Sequence, residues 1–488
     1  MASTTARPEY TKLLDGLDRP FVGGAALREG GSRREHINPN DGTVNSSFTV
    51  GGAAEIDRAV KAAAAAQKQW IALPGNRRAA VLMRLAALIR EHATRLTHVL
   101  AVEGGIPVSL GVELAAAWVE HFAGYADKLM GGTTADMYPM PGFGYTRKEP
   151  YGVIGVIIPW NHPLIASCQV GIPAIAAGNG LVIKPPSDTP FCGVLLAQLA
   201  VEAGMPPGLF NVVPGDAEAG TALIEHREVG KISFTGGGAT ARHVMAAAAK
   251  VLKPLFLELG GKSANLLFAD AQLDTQVPFS LGFCMGLSGQ GCVLPTRLLV
   301  EAPAYERVIE GLVATAPHLK LGNALKPDTV MGPVVNRAAQ QRILGVIERA
   351  QREKQGRLVY GGKAGHGELA QGSFVEPTIF VDVDPDSSLA RQEVFGPVLS
   401  VIRFRTEDEA VRIANDSEFG LGAYVQTTSL PRAQRLSAAL AAGTVCINGA
   451  SGVPPMLPFG GYKQSGFGRI GGREGLEEYL QTKAVFIG

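Results

Sequence analysis

A cysteine in a glycine-rich turn is the side chain best suited to covalent catalysis. Cys292 follows Gly289-Gln290-Gly291, so glycines stand one and three residues before it. Glycine has no β-carbon, which lets a substrate carbonyl and backbone amides come close to the sulfur. A thiolate is a strong nucleophile when a neighbouring group lowers the thiol pKa or removes the proton. Because a lone cysteine is more often a small buried hydrophobe, this turn alone predicts only a candidate nucleophile.

Polar and glycine residues follow several short apolar runs in the middle of the chain. Runs such as 153–158 and 181–183 alternate with helix-like segments, a pattern typical of a parallel, doubly wound sheet. Ligands bind beyond the carboxyl ends of the strands in such sheets. We therefore expect one binding edge formed by Asn161, Lys184, Gly215, Gly236 and Glu258.

The surrounding segments predict the elements that hold this edge. Apolar residues at helical spacing indicate helices over 53–70, 77–103 and 110–130, and again over 305–316 and 338–354. The run 448–468 is rich in glycine and proline and predicts a long loop. The polar segment 145–151 could be an arm that reaches a neighbouring subunit.

The composition restricts the class of protein. With 488 residues, 46% hydrophobic and 18% charged, the chain suits a soluble protein of about two or three domains with some surface buried between subunits. A net charge of +1 without a basic block gives no sign of nucleic acid or membrane as a partner. Five cysteines without a CxxC pair argue against disulfides and against a metal site. Neither a signal peptide nor an apolar run of ~18 residues is evident, so we expect a cytoplasmic protein.

Several short motifs, taken together and in order, resemble those of the aldehyde dehydrogenase superfamily over essentially the whole chain. The resemblance implies an α/β fold with a Rossmann-like doubly wound parallel sheet for the cofactor over 1–129 and 149–259. A second α/β catalytic domain would cover 260–464, and a small oligomerisation sheet would come from 130–148 and 465–488 of a homodimer or homotetramer. The motifs are Pro159-Trp160-Asn161, Lys184-Pro185, Phe234-Thr235-Gly236, Leu257-Glu258-Leu259-Gly260-Gly261-Lys262, Gly289-Gln290-Gly291-Cys292, Glu393-Val394-Phe395-Gly396-Pro397 and Pro458-Phe459-Gly460-Gly461.

The same resemblance implies the catalytic roles. Cys292 would attack an aldehyde carbonyl to give a thiohemiacetal, and Asn161 with the backbone N–H of Cys292 would bind the developing alkoxide. After hydride leaves for NAD or NADP, Glu258 would activate the water that hydrolyses the thioester. From the residues alone, Asn161 could instead cap a turn, and Glu258 could form a salt bridge with Lys262.

The implied cofactor residues surround the adenosine, the phosphates and the nicotinamide. Lys184 would hold the adenosine ribose, and Glu393 would grip the nicotinamide ribose. Gly236 and Gly237 would open a helix N-terminus toward phosphate. The implied set is Pro159, Trp160, Lys184, Ser187, Gly215, Gly220, Thr235, Gly236, Gly237, Leu259, Glu393 and Phe395.

Two departures from the family pattern change what is expected. Ser187 stands where many members carry a ribose-binding Glu, so the loss of a carboxylate that repels a 2′-phosphate predicts measurable NADP⁺ use. Asp188, next in the chain, could oppose it. Val170 and Ile470 stand where many relatives carry a Lys and a Glu thought to relay a proton, which implies that water takes the proton here.

The predicted substrate pocket is a third departure. Positions often aromatic in small-aldehyde relatives carry other residues, which predicts a wide tunnel of mixed polarity. No Arg is placed to bind a substrate carboxylate, so a bulky or medium-chain uncharged aldehyde is favoured. The predicted pocket residues are His162, Gln169, Gly291, Val293, Val453 and Phe459.

Two other functions stay open. An acylating relative would pass the thioester to coenzyme A, but such relatives generally lack the Glu found here at position 258. A thiol hydrolase would use Cys292 without redox chemistry, but the cofactor residues and the lack of an evident His partner argue against it.

Overall fold

Two large, mainly parallel β-sheets organise the chain in a computed structural model that describes residues 8–134, 141–449 and 453–488. The five central strands of the first sheet are parallel, as predicted for a doubly wound sheet, and antiparallel strands flank them. In spatial order its strands are Ala25–Ala26, Phe21–Val22, Phe210–Val212, Gly180–Lys184, Val153–Ile157, Val229–Thr235, Leu255–Glu258 and Gly466–Phe467.

Helices cover both faces of this first sheet. Leu181 and Ile183 pack into one hydrophobic cluster, while Val182 between them packs into another. Continuous apolar strands are what a sheet buried on both faces requires. The helices that precede or cover it are Pro8–Leu13, Ala53–Ala72, Gly75–Glu91, Ala93–Gly104, Glu113–Ala123, Pro163–Ala176, Cys192–Glu202, Ala217–Glu225 and Gly238–Lys250.

Two of the predicted helices are wrong in extent. The segment 77–103 is not one helix, because His92 leaves the helical region (φ −97°, ψ 18°) and separates two helices. The helix predicted over 110–130 spans only Glu113–Ala123. It ends at Gly124, a poor helix former, and Arg78 then donates to the carbonyl of Ala126 at 2.8 Å and fixes the turn that follows.

The second sheet begins in the chain with the strand Ala264–Leu267, shortly after the strand Leu255–Glu258 of the first sheet. All of its neighbouring strands are parallel except the pair at one edge, Arg357–Tyr360 with Thr378–Val381. In spatial order its strands are Arg357–Tyr360, Thr378–Val381, Val398–Phe404, Arg297–Glu301, Ala264–Leu267, Gly422–Gln426 and Thr444–Ile447. Its helices are Leu273–Cys284, Tyr305–Thr315, Arg337–Arg352, Ser388–Arg391, Glu407–Asn415 and Leu430–Ala439.

A three-stranded antiparallel sheet is formed by Thr133–Thr134, Phe143–Pro150 and Leu480–Ile487. The predicted arm thus pairs with the C-terminal strand, and residues 135–140 of the arm lie outside the described residues. Phe143 and Phe486 on this sheet are exposed, which suits a surface that another subunit covers. That role in oligomerisation stays a prediction.

Some smaller elements complete the fold. Strand Gly466–Phe467 pairs with Leu257 and Glu258, so this part of the segment predicted as the arm belongs to the first sheet. Residues 450–452 of the loop predicted over 448–468 lie outside the described residues. In the part of the chain that is described, no helix has the length and apolarity to cross a membrane, and no three His, Cys, Asp or Glu side chains are grouped to hold a metal ion. The remaining strands are Ser32–Ile37 with Val44–Val50 and Phe419–Gly420 with Tyr462–Lys463, and the remaining α-helix is Gly472–Glu477.

Candidate active site

The predicted binding edge forms at the carboxyl ends of the central strands of the first sheet. Ile157, at the end of its strand, lies opposite Lys184 on one side and Phe234 on the other. Thr235 lies opposite Glu258 on the next strand. The strand ends that carry Lys184, Thr235 and Glu258 therefore share one edge of a parallel sheet, as the alternation of strands and helices predicted, and ligand binding at that edge stays a prediction.

A cavity of about 240 Å³ brings the three predicted catalytic residues together. It also holds most of the residues that the resemblance assigned to the nicotinamide and phosphate end of a cofactor. Its lining is Pro159, Trp160, Asn161, Thr235, Gly236, Gly237, Glu258, Leu259, Gly260, Cys292, Arg342, Glu393 and Phe395.

Asn161 fixes the turn that carries the cysteine. Its Nδ2 donates to the backbone carbonyl of Gln290 at 2.8 Å, two residues before Cys292. On the other side, the Oε1 of Gln290 accepts from the backbone N–H of Val335 at 2.9 Å. The Asn161 amide is thus directed at the cysteine turn, rather than acting as an isolated turn cap.

The glycines around Cys292 are required for close packing. Gly289 has φ 73°, in the left-handed region, and a β-carbon there would overlap the backbone of Gly396. A β-carbon on Gly261 would likewise overlap the carbonyl of Cys292. The sequence predicted space around the sulfur, but at Gly289 the reason for glycine is contact with the segment that bears Glu393.

Glu258 carries a buried carboxyl group. Glu258 is 3% exposed, and neither of its carboxylate oxygens has a hydrogen-bond partner among the described residues. The Nζ of Lys262 is also buried and unpaired there, so the salt bridge considered from the sequence is wrong. Burial raises the pKa of Glu258 well above its usual range, with Arg469 opposing the shift and Glu478 adding to it.

Burial and nearby negative charge favour the protonated form of the Cys292 thiol. Burial, followed by the negative charges of Glu258 and Glu393, raises its pKa to about 12. The N–H groups of Cys292 and Val293 oppose the shift but do not overcome it. The nucleophile therefore needs a base or a bound positive charge before it reacts.

Glu393 and two aromatic rings form the wall opposite the strand ends. The Oε1 of Glu393 accepts from the backbone N–H of Gly261 at 2.9 Å, and burial raises the carboxyl pKa. The rings of Trp160 and Phe395 meet edge to face, with centroids 5.2 Å apart. Phe395 has φ 50°, an unusual backbone conformation for a non-glycine residue that directs its ring at this wall.

Arg342 is a residue of this cavity that the sequence did not identify. Its guanidinium donates to the carbonyls of Val394 and Phe395, at 2.6 and 3.3 Å. Helical spacing located the helix Arg337–Arg352 but gave no sign that one of its arginines reaches a strand-edge loop. Arg342 holds the Glu393 segment against the cavity and adds a positive charge there.

A larger cavity, of about 580 Å³, holds the other predicted cofactor residues. Phe234 lines this cavity and the adjacent Thr235 lines the smaller one, so the two cavities lie on either side of one strand end. Besides Phe234, its lining includes Arg34, His36, Lys184, Ser187, Asp188, Gly215, Asp216, Gly220, Thr240 and His243.

The helix Gly238–Lys250 begins between the two cavities. Gly236 and Gly237, just before it, line the smaller cavity, while Thr240 and His243 on it line the larger. A β-carbon on Gly237 would meet no atom within 4 Å, so the N-terminus is open to a ligand. Two cavities with a helix N-terminus between them fit a dinucleotide whose phosphates lie at that N-terminus.

Lys184 projects into the larger cavity from a buried position. Its Nζ donates to the carbonyl of Gly215 at 2.7 Å and of Pro185 at 3.4 Å. Burial lowers its pKa to about 8, and the charge of Asp216 opposes the shift. The ammonium group is therefore close to losing its charge in a mildly alkaline solution.

The larger cavity contains a carboxylate beside Ser187, although Ser187 replaces the ribose-binding Glu of many relatives. Its Oγ donates to Oδ1 of Asp216 at 2.6 Å, so a carboxylate from another segment lies beside it. Asp188 also lines this cavity, where its Oδ1 accepts from Nδ2 of Asn336 at 2.8 Å. Asp216, which no sequence motif indicated, thus places a carboxylate beside Ser187.

The predicted substrate residues are less clearly gathered. His162 caps the helix Pro163–Ala176, and burial lowers its pKa to about 4, so the imidazole is neutral. Phe459 is 6% exposed and pairs through its backbone with Ile470. None of the six lines either cavity within the described residues, and Val453 directly follows a segment outside them, so the pocket stays a prediction. The six are His162, Gln169, Gly291, Val293, Val453 and Phe459.

The two positions without relay residues are both buried. Val170 is 3% exposed and Ile470 4% exposed. Removing one member of a buried ion pair strands the other, at a cost of about 3–5 kcal/mol, whereas two apolar residues avoid that cost. The paired replacement inferred from the sequence is thus compatible with the packing.

Comparison with known proteins identifies the family. The aldehyde dehydrogenase family profile matches residues 27–485. Betaine aldehyde dehydrogenase of Cereibacter sphaeroides is 40% identical over an alignment 490 positions long, which covers 99% of this chain and 98% of that protein. The crystal structure of γ-glutamyl-γ-aminobutyraldehyde dehydrogenase from Burkholderia cenocepacia J2315 superimposes with a TM-score of 0.93 at 40% identity, covering 98% of this chain and 99% of that one. The NAD⁺ complex of an aldehyde dehydrogenase from Bacillus cereus gives 0.94 at 34% identity, covering 100% of both chains. This chain belongs to the aldehyde dehydrogenase family.

Proposed function

We propose that this protein oxidises an aldehyde to a free carboxylic acid, with NAD⁺ or NADP⁺ as cofactor. The observation that carries the proposal is one cavity shared by Cys292, Asn161 and Glu258, beside the residues that fit a dinucleotide. The Bacillus cereus relative was solved with NAD⁺, which supports that cofactor. When bound, the nicotinamide supplies the acceptor for hydride.

In the first half of the proposed reaction, Cys292 is the nucleophile. Its sulfur forms a bond to the aldehyde carbon, its proton leaves for a base or water, and the carbonyl oxygen takes up the negative charge. Asn161 Nδ2 and the backbone N–H of Cys292 donate to that oxygen. Loss of hydride from the same carbon then leaves a thioester on Cys292.

In the second half, Glu258 accepts a proton from water as the water oxygen attacks the thioester carbon. The C–S bond breaks, which releases the acid and restores Cys292. Burial raises the pKa of Glu258, so its carboxylate, once deprotonated, is a stronger base than that of an ordinary glutamate. Because Val170 and Ile470 cannot titrate, the proton on Glu258 leaves through water in this proposal.

For the substrate, we propose a bulky or medium-chain aldehyde without net charge. A cationic substrate is held by aromatic faces or carboxylates. The predicted pocket residues include a neutral imidazole and one mostly buried aromatic ring, at His162 and Phe459, and no carboxylate. The names of the two relatives make betaine aldehyde and aminoaldehydes the alternatives to test.

A panel of aldehydes tests the proposal, with NAD⁺ and NADP⁺ in parallel and the absorbance of reduced cofactor as readout. The panel should include medium-chain, aromatic, betaine and amino aldehydes. We expect reduced cofactor without added coenzyme A, and the highest kcat/KM for an uncharged aldehyde. A requirement for coenzyme A would indicate the acylating reaction. Ester hydrolysis without any reduced cofactor would indicate a thiol hydrolase.

Asn161→Ala should lower kcat by about 10²–10³, because one donor to the alkoxide is lost. The affinity for NAD⁺, measured by calorimetry, should stay within about twofold, since Asn161 contacts the cysteine turn. Melting temperature controls for damage to that turn. A loss of kcat below about tenfold, with the fold intact, would contradict a role in the oxyanion site.

Cofactor affinity should fall as the pH rises through about 8, the pKa to which burial lowers the Lys184 amine. The amine is charged below that pH and neutral above it, so attraction to cofactor phosphate is lost on the alkaline side. Calorimetric titrations of NADP⁺ between pH 6.5 and 9.5 measure the change. Lys184→Met should bind more weakly and show no inflection near that pH. If its profile keeps the inflection, another group is responsible.

A further inference from the structure

The larger cavity carries a charge pair that the family motifs do not include. We propose that Arg34 and Asp216 together determine the choice between a 2′-hydroxyl and a 2′-phosphate on the adenosine ribose. The inference rests on the proposed cofactor site, because both residues line the cavity that holds Lys184 and Ser187.

Asp216 receives donors from two directions. Its Oδ2 accepts from Nη2 of Arg34 at 2.7 Å, and its Oδ1 accepts from Nη1 of Arg34 at 3.3 Å and from Oγ of Ser187 at 2.6 Å. Asp216 immediately precedes the helix Ala217–Glu225, but its side chain makes no cap hydrogen bond to that helix. Its carboxylate is therefore committed to the cavity and not to the helix.

The backbone of Arg34 is held in a strand, whereas its side chain lies at the surface. Arg34 lies on the strand Ser32–Ile37, and its neighbour His36 is anchored by Nε2 against the carbonyl of Asp188 at 2.8 Å. The His36 ring also meets the ring of Phe191 with centroids 5.1 Å apart. The side chains of Arg34 and Asp216 are 47% and 49% exposed, so their ion pair can open at little cost.

The two charges act oppositely on a 2′-substituent. The Asp216 carboxylate can accept from a ribose 2′-hydroxyl, whereas it repels a 2′-phosphate. The Arg34 guanidinium is always charged and suits a phosphate. With both present and paired, the wild type should discriminate weakly, and removal of either charge should expose the preference of the other.

Calorimetric binding of two fragments, adenosine 2′,5′-bisphosphate and adenosine 5′-monophosphate, tests this without turnover. Arg34→Ala should lower the affinity for the bisphosphate about five- to tenfold and change the affinity for the monophosphate by less than about twofold. Asp216→Asn should strengthen the bisphosphate by a similar factor. In the Asp216→Asn background, Arg34→Ala should lower the affinity for the bisphosphate more than it does in the wild type. The guanidinium of the Asp216→Asn variant is no longer held by the Asp216 carboxylate.

Arg33→Ala is the matched control. Its side chain is equally exposed, at 47%, but pairs with Asp18 at 2.9 Å. If Arg33→Ala and Arg34→Ala lower the affinity for the bisphosphate equally, only net charge matters and the proposal is overturned. Unchanged affinity ratios in the Arg34 and Asp216 variants would also overturn it, while leaving the cofactor site intact. If the wild type binds neither fragment and Lys184→Met changes nothing, the cofactor site itself is wrong.

Discussion

Replacing Cys292 by alanine should lower aldehyde oxidation by at least about 10⁴-fold while the affinity for NAD⁺ stays nearly intact. Among the described residues, no other cysteine lines the cavity that holds Asn161 and Glu258, so no second thiol can substitute for the lost sulfur. The alanine removes one atom and leaves the backbone of the turn, which Asn161 holds through the carbonyl of Gln290. Turnover measured by reduced cofactor and binding measured by calorimetry separate the two effects.

The remaining cysteines serve as controls for that result. Cys446 is partly exposed like Cys292, so Cys446→Ser is the matched variant and should keep turnover within about twofold. Cys168, Cys192 and Cys284 are buried, so their replacement should affect stability before it affects chemistry. Substantial residual oxidation by Cys292→Ala would remove this residue from the mechanism.

The gathering of the site at one sheet edge could be predicted from the sequence. Runs such as 181–183 are too continuously apolar for a sheet with one solvated face, so they indicate parallel strands covered on both sides. Parallel strands bring their carboxyl ends to one edge, and this is sufficient to group Asn161, Lys184 and Glu258 from their positions in the chain. The seven-stranded sheet and the three-stranded sheet likewise agree with the implied fold.

What could not be predicted depends on contacts between distant segments. Asp216 lies 182 residues from Arg34, and no spacing rule brings a strand near the N-terminus to the rim of the cofactor cavity. Among the described residues Glu258 has no hydrogen-bond partner, and this too depends on tertiary structure, since Lys262 is four residues away and could have reached it on an exposed loop. The predicted ends of some helices were wrong for a related reason. Gly124 stops a helix whose apolar pattern continues, because Arg78 holds the next turn.

The Glu258→Gln variant should complete one oxidation per active site and then stop almost entirely. Glutamine has the same shape but cannot take a proton from water, so thioester hydrolysis should slow by about 10²–10⁴. Acylation should survive, because the carboxylate of Glu258 is one of the charges that raise the pKa of Cys292. Its removal lowers that pKa and makes the thiolate easier to form.

Rapid mixing of this variant with aldehyde and NAD⁺ should therefore give a burst of reduced cofactor close to one equivalent, followed by a slow steady rate. Mass spectrometry should find the acyl group on Cys292 after the burst. Added hydroxylamine, which attacks a thioester without a base, should raise the steady rate in the variant more than in the wild type. A missing burst with NAD⁺ still bound would mean that Glu258 acts earlier. Since its carboxylate opposes ionisation of the thiol through space, it would then have to act as the direct acceptor of the Cys292 proton.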